Sequence, residues 1–329
     1  MTKVRWGILG TARIGVDRVI PGMQKGMLSE ILAIASRDGE KARRAAQRLG
    51  IPKAYGSYEE LLADKEIQAI YNPLPNHLHI PLTLESLKQG KHVLCEKPIG
   101  VNSREVKSLQ KSLKKYPRLK VMEAFMYRFH PQWEKIRGLI RDKVLGEVRH
   151  IHAVFTYHNI NPTDIRNRAD IGGGGLLDIG CYCISLARFL YGSEPQRACG
   201  SIGIDPGFKT DRLASAILEF GQGTASFTCA TQASPSQRAE VFGSSGRMEI
   251  QFPFTPPLDQ PTKIVVHTGS GRHEIQFEGC DQYTLQGESF SRAILNDTPV
   301  PTPLEDAAAN MKVIDGIVKS SREKAWVRL

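Results

Sequence analysis

Short apolar segments alternate with amphipathic stretches over roughly the first 120 residues, and this alternation constrains the fold more than any other feature of the sequence. The apolar segments have the length of buried strands, and the stretches between them have helical spacing. They lie at Val4–Leu9, Ile31–Ala35, Ala69–Tyr71, His92–Leu94 and Lys120–Met122. Because strands that alternate with helices form parallel sheets, we predict a doubly wound, parallel α/β sheet for this part of the chain.

A different pattern begins near residue 145, where β-rich segments are separated by glycine, proline and serine. These segments lie at Val148–Tyr157, Ala214–Phe220, Thr224–Ala230, Ala239–Phe242 and Lys263–His267. The pattern predicts an α+β domain with a large, open and mostly antiparallel sheet. Two helical patterns accompany it, a largely apolar one at Leu176–Leu190 and another at residues 305–324.

The length of the chain supports a division in two. A single hydrophobic core stops growing well below 329 residues. We therefore predict a first domain over residues 1–124 and a second domain over residues 125–329. The second domain would bind the substrate and mediate self-association, and the helix at residues 305–324 could pack back on the first domain.

Composition narrows the class of protein. The net charge of +10 is dispersed over patterns typical of solvated helix faces, so a nucleic-acid surface is the less favoured interpretation. The six cysteines lack zinc-ligand or CxxC spacing, which favours free thiols in the cytoplasm. The sequence contains neither a secretory leader pattern nor an apolar run of membrane-spanning length. We therefore expect a soluble cytoplasmic protein.

A glycine-containing turn, Gly7–Gly15, follows the first predicted strand. A dinucleotide-binding turn needs glycine at this point, because the backbone must turn tightly and approach a pyrophosphate closely. Alanine replaces the middle glycine of the usual pattern, so an ordinary strand-turn-helix connection remains an alternative. The predicted cofactor contacts are Gly10, Thr11, Ala12, Arg13 and Ile14.

The second predicted strand ends in Ser36, Arg37 and Asp38, about twenty residues after the turn. This is the position that recognises the adenosine ribose, where a carboxylate selects NAD(H) and an arginine accommodates the 2′-phosphate of NADP(H). A guanidinium can also stack on adenine. We predict that Ser36 and Arg37 bind NADP(H) in preference to NAD(H), although Asp38 could still serve NAD(H).

A lysine follows the strand near His92, within Cys95-Glu96-Lys97-Pro98. Open parallel sheets bind their ligands at the carboxyl ends of the strands, so Lys97 is expected to face the nicotinamide. Pro98 restricts Lys97 to extended backbone, which would direct the ammonium group into the crevice. Taken alone, Glu96-Lys97-Pro98 could equally be a surface turn.

A second candidate cluster is the glycine run 172–175 followed by Asp178 and Tyr182. Residues four apart on a helix lie on one face, and glycines before a helix let backbone amides approach a ligand. The alternative is a glycine-rich loop with Asp178 favourable to the helix dipole and Tyr182 packed in the core.

Several landmarks along the whole chain resemble the glucose-fructose oxidoreductase, inositol dehydrogenase and rhizopine-catabolism (Gfo/Idh/MocA) superfamily. They are Gly7–Gly15, Ser36–Arg37, Pro75–His79, Glu96–Pro98, Glu123–Pro131 and Gly173–Tyr182. Many members have histidine where this chain has Tyr182. Tyrosine resembles the branch of glucose-fructose oxidoreductase, NADP-dependent xylose dehydrogenase, dimeric dihydrodiol dehydrogenase and nucleotide-sugar ketoreductases.

The resemblance implies a Rossmann domain, hydride transfer to or from a sugar-like hydroxyl or carbonyl, and a homodimer or homotetramer formed through the second domain's sheet. It implies that Lys97 and Tyr182 are catalytic and that Asp178 binds or orients the substrate. Arg128 and Arg166 are further substrate-binding candidates. The remaining cofactor contacts that we predict are Pro73, Leu74, Asn76, His79, Glu96 and Lys97.

Elementary chemistry agrees with the assignment of Tyr182. A phenol with an ordinary pKa of about 10 is a poor base at neutral pH, and a nearby ammonium group favours the phenolate. The histidine pairs 77/79 and 150/152 invite a zinc interpretation, but no cysteine or carboxylate completes either set at a recognisable spacing, so we predict no metal. A cofactor-binding regulator without enzymatic activity remains the alternative function.

Overall fold

The computed structural model describes residues 2–329 and divides into two compact units. The first unit runs to Phe129 and includes Asp281–Ala308, whereas the second unit comprises His130–Cys280 and residues 309–329. The predicted boundary at 124/125 therefore lies a few residues early. Only the first turn of the C-terminal helix belongs with the first unit.

The segment Asp281–Ala308 corrects the predicted division, because the sequence pattern placed it in the second domain. Its helix, Gln282–Leu295, packs on the first unit's sheet. The indole nitrogen of Trp6 donates to Oγ of Ser291 at 3.3 Å, and the ring of Trp6 lies 5.7 Å from that of Phe290. Pairings between residues so distant in sequence leave no local signal.

The first unit contains a six-stranded parallel sheet, which confirms the predicted doubly wound fold. Its strands are β1 (Val4–Leu9), β2 (Ser29–Ala35), β3 (Lys53–Tyr55), β4 (Ala69–Asn72), β5 (His92–Cys95) and β6 (Val121–Glu123). The order is β3-β2-β1-β4-β5-β6, so the chain changes direction between β1 and β4. Sheets of this kind bind ligands at the carboxyl edge of such a switch point.

Helices connect the strands and cover the sheet. They are α1 (Ile20–Lys25), α2 (Gly39–Leu49), α3 (Tyr58–Ala63), α4 (Asn76–Lys88), α5 (Ser103–Leu113), α6 (Pro131–Arg141), α7 (Cys181–Tyr191), α8 (Gln282–Leu295) and α9 (Leu304–Glu323). Polar side chains cap several of them. The carboxylate of Asp38 begins α2, the hydroxyl of Ser57 begins α3 and the amide oxygen of Asn102 begins α5.

The second unit contains a nine-stranded sheet that is antiparallel except between β7 and β10, as the sequence predicted. Its strands are β7 (Val148–His158), β8 (Arg197–Ile204), β9 (Asp211–Phe220), β10 (Gly223–Ala230), β11 (Gln232–Gly243), β12 (Gly246–Ile250), β13 (Thr262–Thr268), β14 (Gly271–Phe277) and β15 (Val327–Arg328). The order is β14-β13-β12-β11-β7-β10-β9-β8-β15. The sequence pattern missed β8, β12, β14 and β15.

Alternate residues of β9 show how this sheet is covered. Ala214, Ala216 and Leu218 are buried, whereas Leu213 and Ile217 remain 45% and 44% exposed. One face of the strand is therefore in the core of the unit and the other lies open.

The apolar segment before and within α7 is a core element of the second unit. It comprises a 3₁₀ turn at Ala169–Ile171, a π-helical turn at Leu176–Gly180 and α7 itself. The stretch Ala169–Tyr191 is long and apolar enough to cross a membrane, but 78% of its most apolar window is buried inside the fold. That degree of burial is typical of a core helix.

Candidate active site

The turn after β1 has the geometry of a phosphate-binding turn. Gly10 adopts a φ of +84°, and its amide donates to the carbonyl of Ala35 at 2.7 Å. A Cβ at this position would lie 2.8 Å from a methyl group of Leu74, so both the conformation and the space require glycine. The next four residues, 11–14, are half-buried or exposed and lead into a helical segment. Their place at a helix N-terminus fits a pyrophosphate.

At the end of β2 the side chain of Arg37 is exposed, whereas the carboxylate of Asp38 caps α2. The exposed guanidinium of Arg37 hydrogen-bonds with the hydroxyl of Tyr58. The carboxylate of Asp38 accepts from the amides of Glu40 and Lys41 at 3.1 and 3.2 Å, and the Lys41 amide in particular lowers the pKa of Asp38. Because Asp38 caps α2, its alternative role as a ribose ligand for NAD(H) is disfavoured.

The side chain of His79, which we predict to lie around the nicotinamide, is buried between two loops and only 1% exposed. Its Nδ1 is 2.8 Å from the carbonyl of Pro98 and its Nε2 is 2.6 Å from that of Leu74. Burial lowers the pKa of His79 to about 4. His79 therefore links the loop that follows β4 to the loop that follows β5, and it influences the site through the position of these loops.

The loop after β5 fixes the backbone around Lys97. The hydroxyl of Tyr71 donates to Oε1 of Glu96 at 2.6 Å, and the amide of Ile99 donates to Oε1 of Glu123 at 2.8 Å. Burial, reinforced by the charge of Glu96, raises the pKa of Tyr71 well above its usual range, so this phenol remains a donor. Lys97 itself is half-buried, and its peptide bond to Pro98 is cis. Asn76, the first residue of α4, is also half-buried, whereas Pro73 and Leu74 are buried.

Arg128 is committed to an ion pair within the first unit. Its side chain is 8% exposed, and its guanidinium lies 2.9 Å from Oδ2 of Asp306. The charge of Asp306 and the phenol of Tyr127 hold the pKa of Arg128 above its usual value despite burial. This ion pair supports the fold of the first unit, and the substrate-binding role of Arg128 stays a prediction.

Asp178 and Arg166, which the sequence predicted separately, meet in the second unit. Nε of Arg166 donates to Oδ2 of Asp178 at 3.0 Å, and the hydroxyl of Tyr157 donates to the same oxygen at 2.6 Å. A second carboxylate, Asp164, lies 3.3 Å from the guanidinium. The side chain of Arg166 is 39% exposed and that of Asp178 is 14% exposed. The cluster thus offers donors and acceptors at the surface of the unit.

Charges within this cluster fix the protonation of its members. The charge of Asp178 raises the pKa of Arg166, and burial together with that charge raises the pKa of Tyr157. At neutral pH Arg166 is therefore a cation and Tyr157 a hydrogen-bond donor. Sequence reasoning missed Tyr157 and Asp164, which lie in the strand and in the loop that precede the glycine run.

Tyr182 lies on α7, one helical turn after Asp178. The residue is 4% exposed, and its ring packs against those of Phe155 and Phe254 with centroid separations of 5.7 and 5.5 Å. These aromatic neighbours fix the direction of the ring and exclude water from most of it. Both predictions for Tyr182, a catalytic phenol and a packed core residue, are compatible with such an environment.

The glycine run before Asp178 does not offer its amides to a ligand as the sequence suggested. The amides of Gly172, Gly173 and Gly174 donate to carbonyls of residues 166–169 at 2.9–3.3 Å. The amide of Leu176 donates to the carboxylate of Asp211 at 2.5 Å. The run therefore builds a turn whose amides are bonded within this chain.

Comparison with known proteins places the two units in one family. Residues 4–125 match the model of an oxidoreductase family with an NAD-binding Rossmann fold, and residues 133–249 match the Gfo/Idh/MocA C-terminal domain. An oxidoreductase of Rhizobium meliloti named ORF334 is 42% identical over 99% of both chains. The chain belongs to the Gfo/Idh/MocA family of oxidoreductases. The predicted resemblance is therefore confirmed.

Two relatives of this Gfo/Idh/MocA oxidoreductase have names that state an activity. The D-xylose 1-dehydrogenase (NADP(+)) 2 of Haloferax volcanii is 35% identical and covers 98% of this chain and 99% of its own. The 3-ketoreductase KijD10 of Actinomadura kijaniata, solved with NADP and TDP-benzene, superposes with a TM-score of 0.92 at 29% identity, over 97% of this chain and 98% of that chain. Solved variants of that reductase replace one tyrosine by phenylalanine and one lysine by alanine or glutamate.

Proposed function

We propose that this oxidoreductase transfers a hydride between NADP(H) and a hydroxyl or carbonyl group of a sugar, polyol or sugar derivative. The observation that carries the proposal is the hydrogen-bonded cluster of Tyr157, Arg166 and Asp178. Within it, Asp178 lies one helical turn before Tyr182. Carboxylate and guanidinium groups at a partly exposed surface match the hydroxyl groups of a carbohydrate, which both donate and accept hydrogen bonds.

The preference for NADP(H) rests on Arg37. An exposed guanidinium at the end of β2 can pair with a 2′-phosphate, while the neighbouring carboxylate of Asp38 is committed to capping α2. Relatives named as NADP-dependent, or solved with NADP, support the same choice.

When bound, the nicotinamide supplies or accepts the hydride. We assign Tyr182 as the group that moves the proton: its oxygen takes the proton of the substrate hydroxyl during oxidation, and its phenol returns a proton to the substrate oxygen during reduction. We assign Lys97 as the cation that favours the phenolate. Asp178 orients the substrate by accepting from one of its hydroxyl groups. The lysine and tyrosine replaced in the related reductase support this pair.

The first experiment is fluorescence titration with NADPH and NADH, followed by a panel of sugars and polyols monitored at the nicotinamide absorbance. Tight binding of NADPH and turnover of a panel member are expected. Binding without turnover would favour a regulatory protein, and the absence of binding would overturn the assignment of the first unit.

Variants then test the catalytic pair. Lys97→Ala and Tyr182→Phe are each expected to lower turnover by at least about 100-fold, as removal of acid–base groups does. Lys114→Ala and Tyr116→Phe, on the surface after α5, are the matched controls and should leave turnover unchanged. Wild-type turnover in both active-site variants would refute the mechanism.

We further propose that the second unit's open sheet face mediates self-association into a homodimer or homotetramer. Leu213 and Ile217 expose apolar side chains on this face of β9. On the neighbouring strands the same face carries hydrogen-bonded polar groups, since Oγ of Ser226 lies 2.9 Å from ring nitrogens of both His150 and His152. Exposed apolar groups rimmed by polar ones are typical of protein interfaces.

A further inference from the structure

The carboxylate of Asp211 is fitted to the turn that precedes Asp178. Asp211 begins β9, and its Oδ2 accepts from the amide of Leu176 at 2.5 Å, while its carboxylate also accepts from the amide of Gly175. Gly174 adopts a φ of +123°, and a Cβ there would overlap Oδ1 of Asp211. The glycine run and the carboxylate therefore form one interlocked arrangement, built from segments about 35 residues apart.

We propose that Asp211 is a positioning residue for the reaction: its ionised carboxylate holds the start of the helical segment that carries Asp178 and Tyr182 in the productive orientation. The role rests on the proposed function of Tyr182. Asp211 would act without touching the substrate, because its bonds go to backbone amides within the chain.

The contact between Asp211 and Leu176 lies directly before both Asp178 and Tyr182 in the helical segment. Leu176 opens the π-helical turn that contains Asp178, and α7, with Tyr182 as its second residue, follows directly. A small rotation of the turn would be transmitted along the helix axis to both side chains. Misplacement of a reacting group by about 1 Å can lower a rate by about 100-fold.

The charge of Asp211 argues against a purely structural cap. Burial raises the pKa of Asp211 from its ordinary value of 3.8 to about 6. Protonation therefore favours folding: this contribution is complete below about 3.8 and is lost as the pH rises through 6. At neutral pH the protein carries a buried charge that opposes stability, whereas a serine or asparagine cap would introduce no charge.

Two titratable side chains, those of Asp178 and Cys229, face Asp211. Asp178 faces it from the turn and adds to the rise of its pKa, and the thiol of Cys229 faces it from β10. Burial raises the pKa of Cys229 well above its usual range, so the thiol is uncharged near pH 6. A protonated carboxyl group accepts less strongly from amides, so protonation below about pH 6 should change the geometry of the turn even though it favours the folded state.

The decisive experiment compares the pH profile of kcat in the wild type and in Asp211→Asn. We expect an acid limb near pH 6 in the wild type, and in the variant a kcat reduced at least about 10-fold with that limb missing. Asp205→Asn is the matched control, because the half-buried carboxylate of Asp205 caps a turn in the same unit by accepting from the amides of Gly207 and Phe208 at 2.8 Å. The control should keep both the rate and the limb.

A second measurement uses the wild-type protein alone, so it depends neither on turnover nor on the folding of a variant. Amide hydrogen exchange of the wild-type segment 172–180, corrected for the intrinsic pH dependence, should show less protection at pH 7.5 than at pH 5, because opening the turn exposes Asp211 and is opposed most strongly when its carboxyl group is protonated. Equal protection at both values would overturn the proposal, as would an unchanged kcat profile in Asp211→Asn. If no sugar is turned over, the proposed function fails, but the exchange result still decides whether the carboxyl group of Asp211 is coupled to the turn.

Discussion

The hydroxyl of Tyr157 donates to Oδ2 of Asp178 at 2.6 Å, and Nε of Arg166 donates to the same oxygen at 3.0 Å. Two donors from separate elements, β7 and the loop that follows it, thus orient one carboxylate of the candidate active site. A carboxylate held in this way is preorganised for a substrate hydroxyl, and its direction depends on both of these donors.

Removal of the Tyr157 hydroxyl tests this preorganisation. A hydrogen bond to a charged group contributes about 1.5–3 kcal/mol, so Tyr157→Phe should lower kcat/KM by roughly 10- to 100-fold. Steady-state kinetics on the identified sugar measure the effect. Tyr191→Phe, which removes a 2.7 Å hydrogen bond to the carbonyl of Thr224 in the same unit, is the control and should leave kcat/KM unchanged. An equal loss in both variants would mean that Asp178 is not the target.

Five strands of the parallel sheet could be predicted from the sequence because they are largely buried on both sides and therefore mostly apolar. The strands that the sequence pattern did not predict lack this continuous apolar pattern. β3 has only three residues and none of them is buried, and β14 is largely exposed. Helix α8 was missed as part of the first unit because its partner, β1, lies nearly 300 residues earlier. Local patterns carry no information on such pairings.

The candidate site shows the same limit. The sequence offers predictions for Gly10, Arg37 and Lys97 because these residues follow the ends of strands, where parallel sheets bind their ligands. The partners of Asp178 and of the glycine run could not, because Tyr157 and Asp211 are separated from them by 21 and 35 residues. The burial of His79 could not be predicted for a related reason: a histidine in a cofactor loop and one behind it have the same sequence context.

Replacement of Arg37 tests the cofactor assignment. Arg37→Ala should raise the Kd for NADPH at least about 10-fold more than that for NADH, because both nucleotides would lose stacking on adenine but only the 2′-phosphate loses a charge-assisted hydrogen bond. Fluorescence titration with both nucleotides measures the effect. Arg43→Ala is the matched control, since Arg43 is an exposed arginine of α2 paired with Glu40 at 2.6 Å. Equal weakening of both nucleotides by Arg37→Ala would contradict phosphate recognition.

The lowered pKa of His79 predicts that the stability of the protein depends on pH. Its pKa is lowered from 6.5 to about 4, so its contribution to stability is fully present above about 6.5 and is lost as the pH falls through about 4. His79→Gln should lower the free energy of unfolding by about 1–3 kcal/mol at pH 7 and flatten its decline between pH 6.5 and 4. Urea denaturation over this range measures both effects. His77→Gln replaces the exposed neighbour and should change neither.

The open sheet face offers the last test. Ile217 is 44% exposed at the centre of β9, so burial in an interface would stabilise association by removing its side chain from water. Ile217→Glu would place a charge there, and we expect a homo-oligomer to dissociate into smaller species with unchanged secondary structure. Light scattering after size-exclusion chromatography measures the mass. Ile160→Glu is the matched control, because Ile160 is 58% exposed outside the sheet. A mass that stays the same in Ile217→Glu would show that association uses another surface.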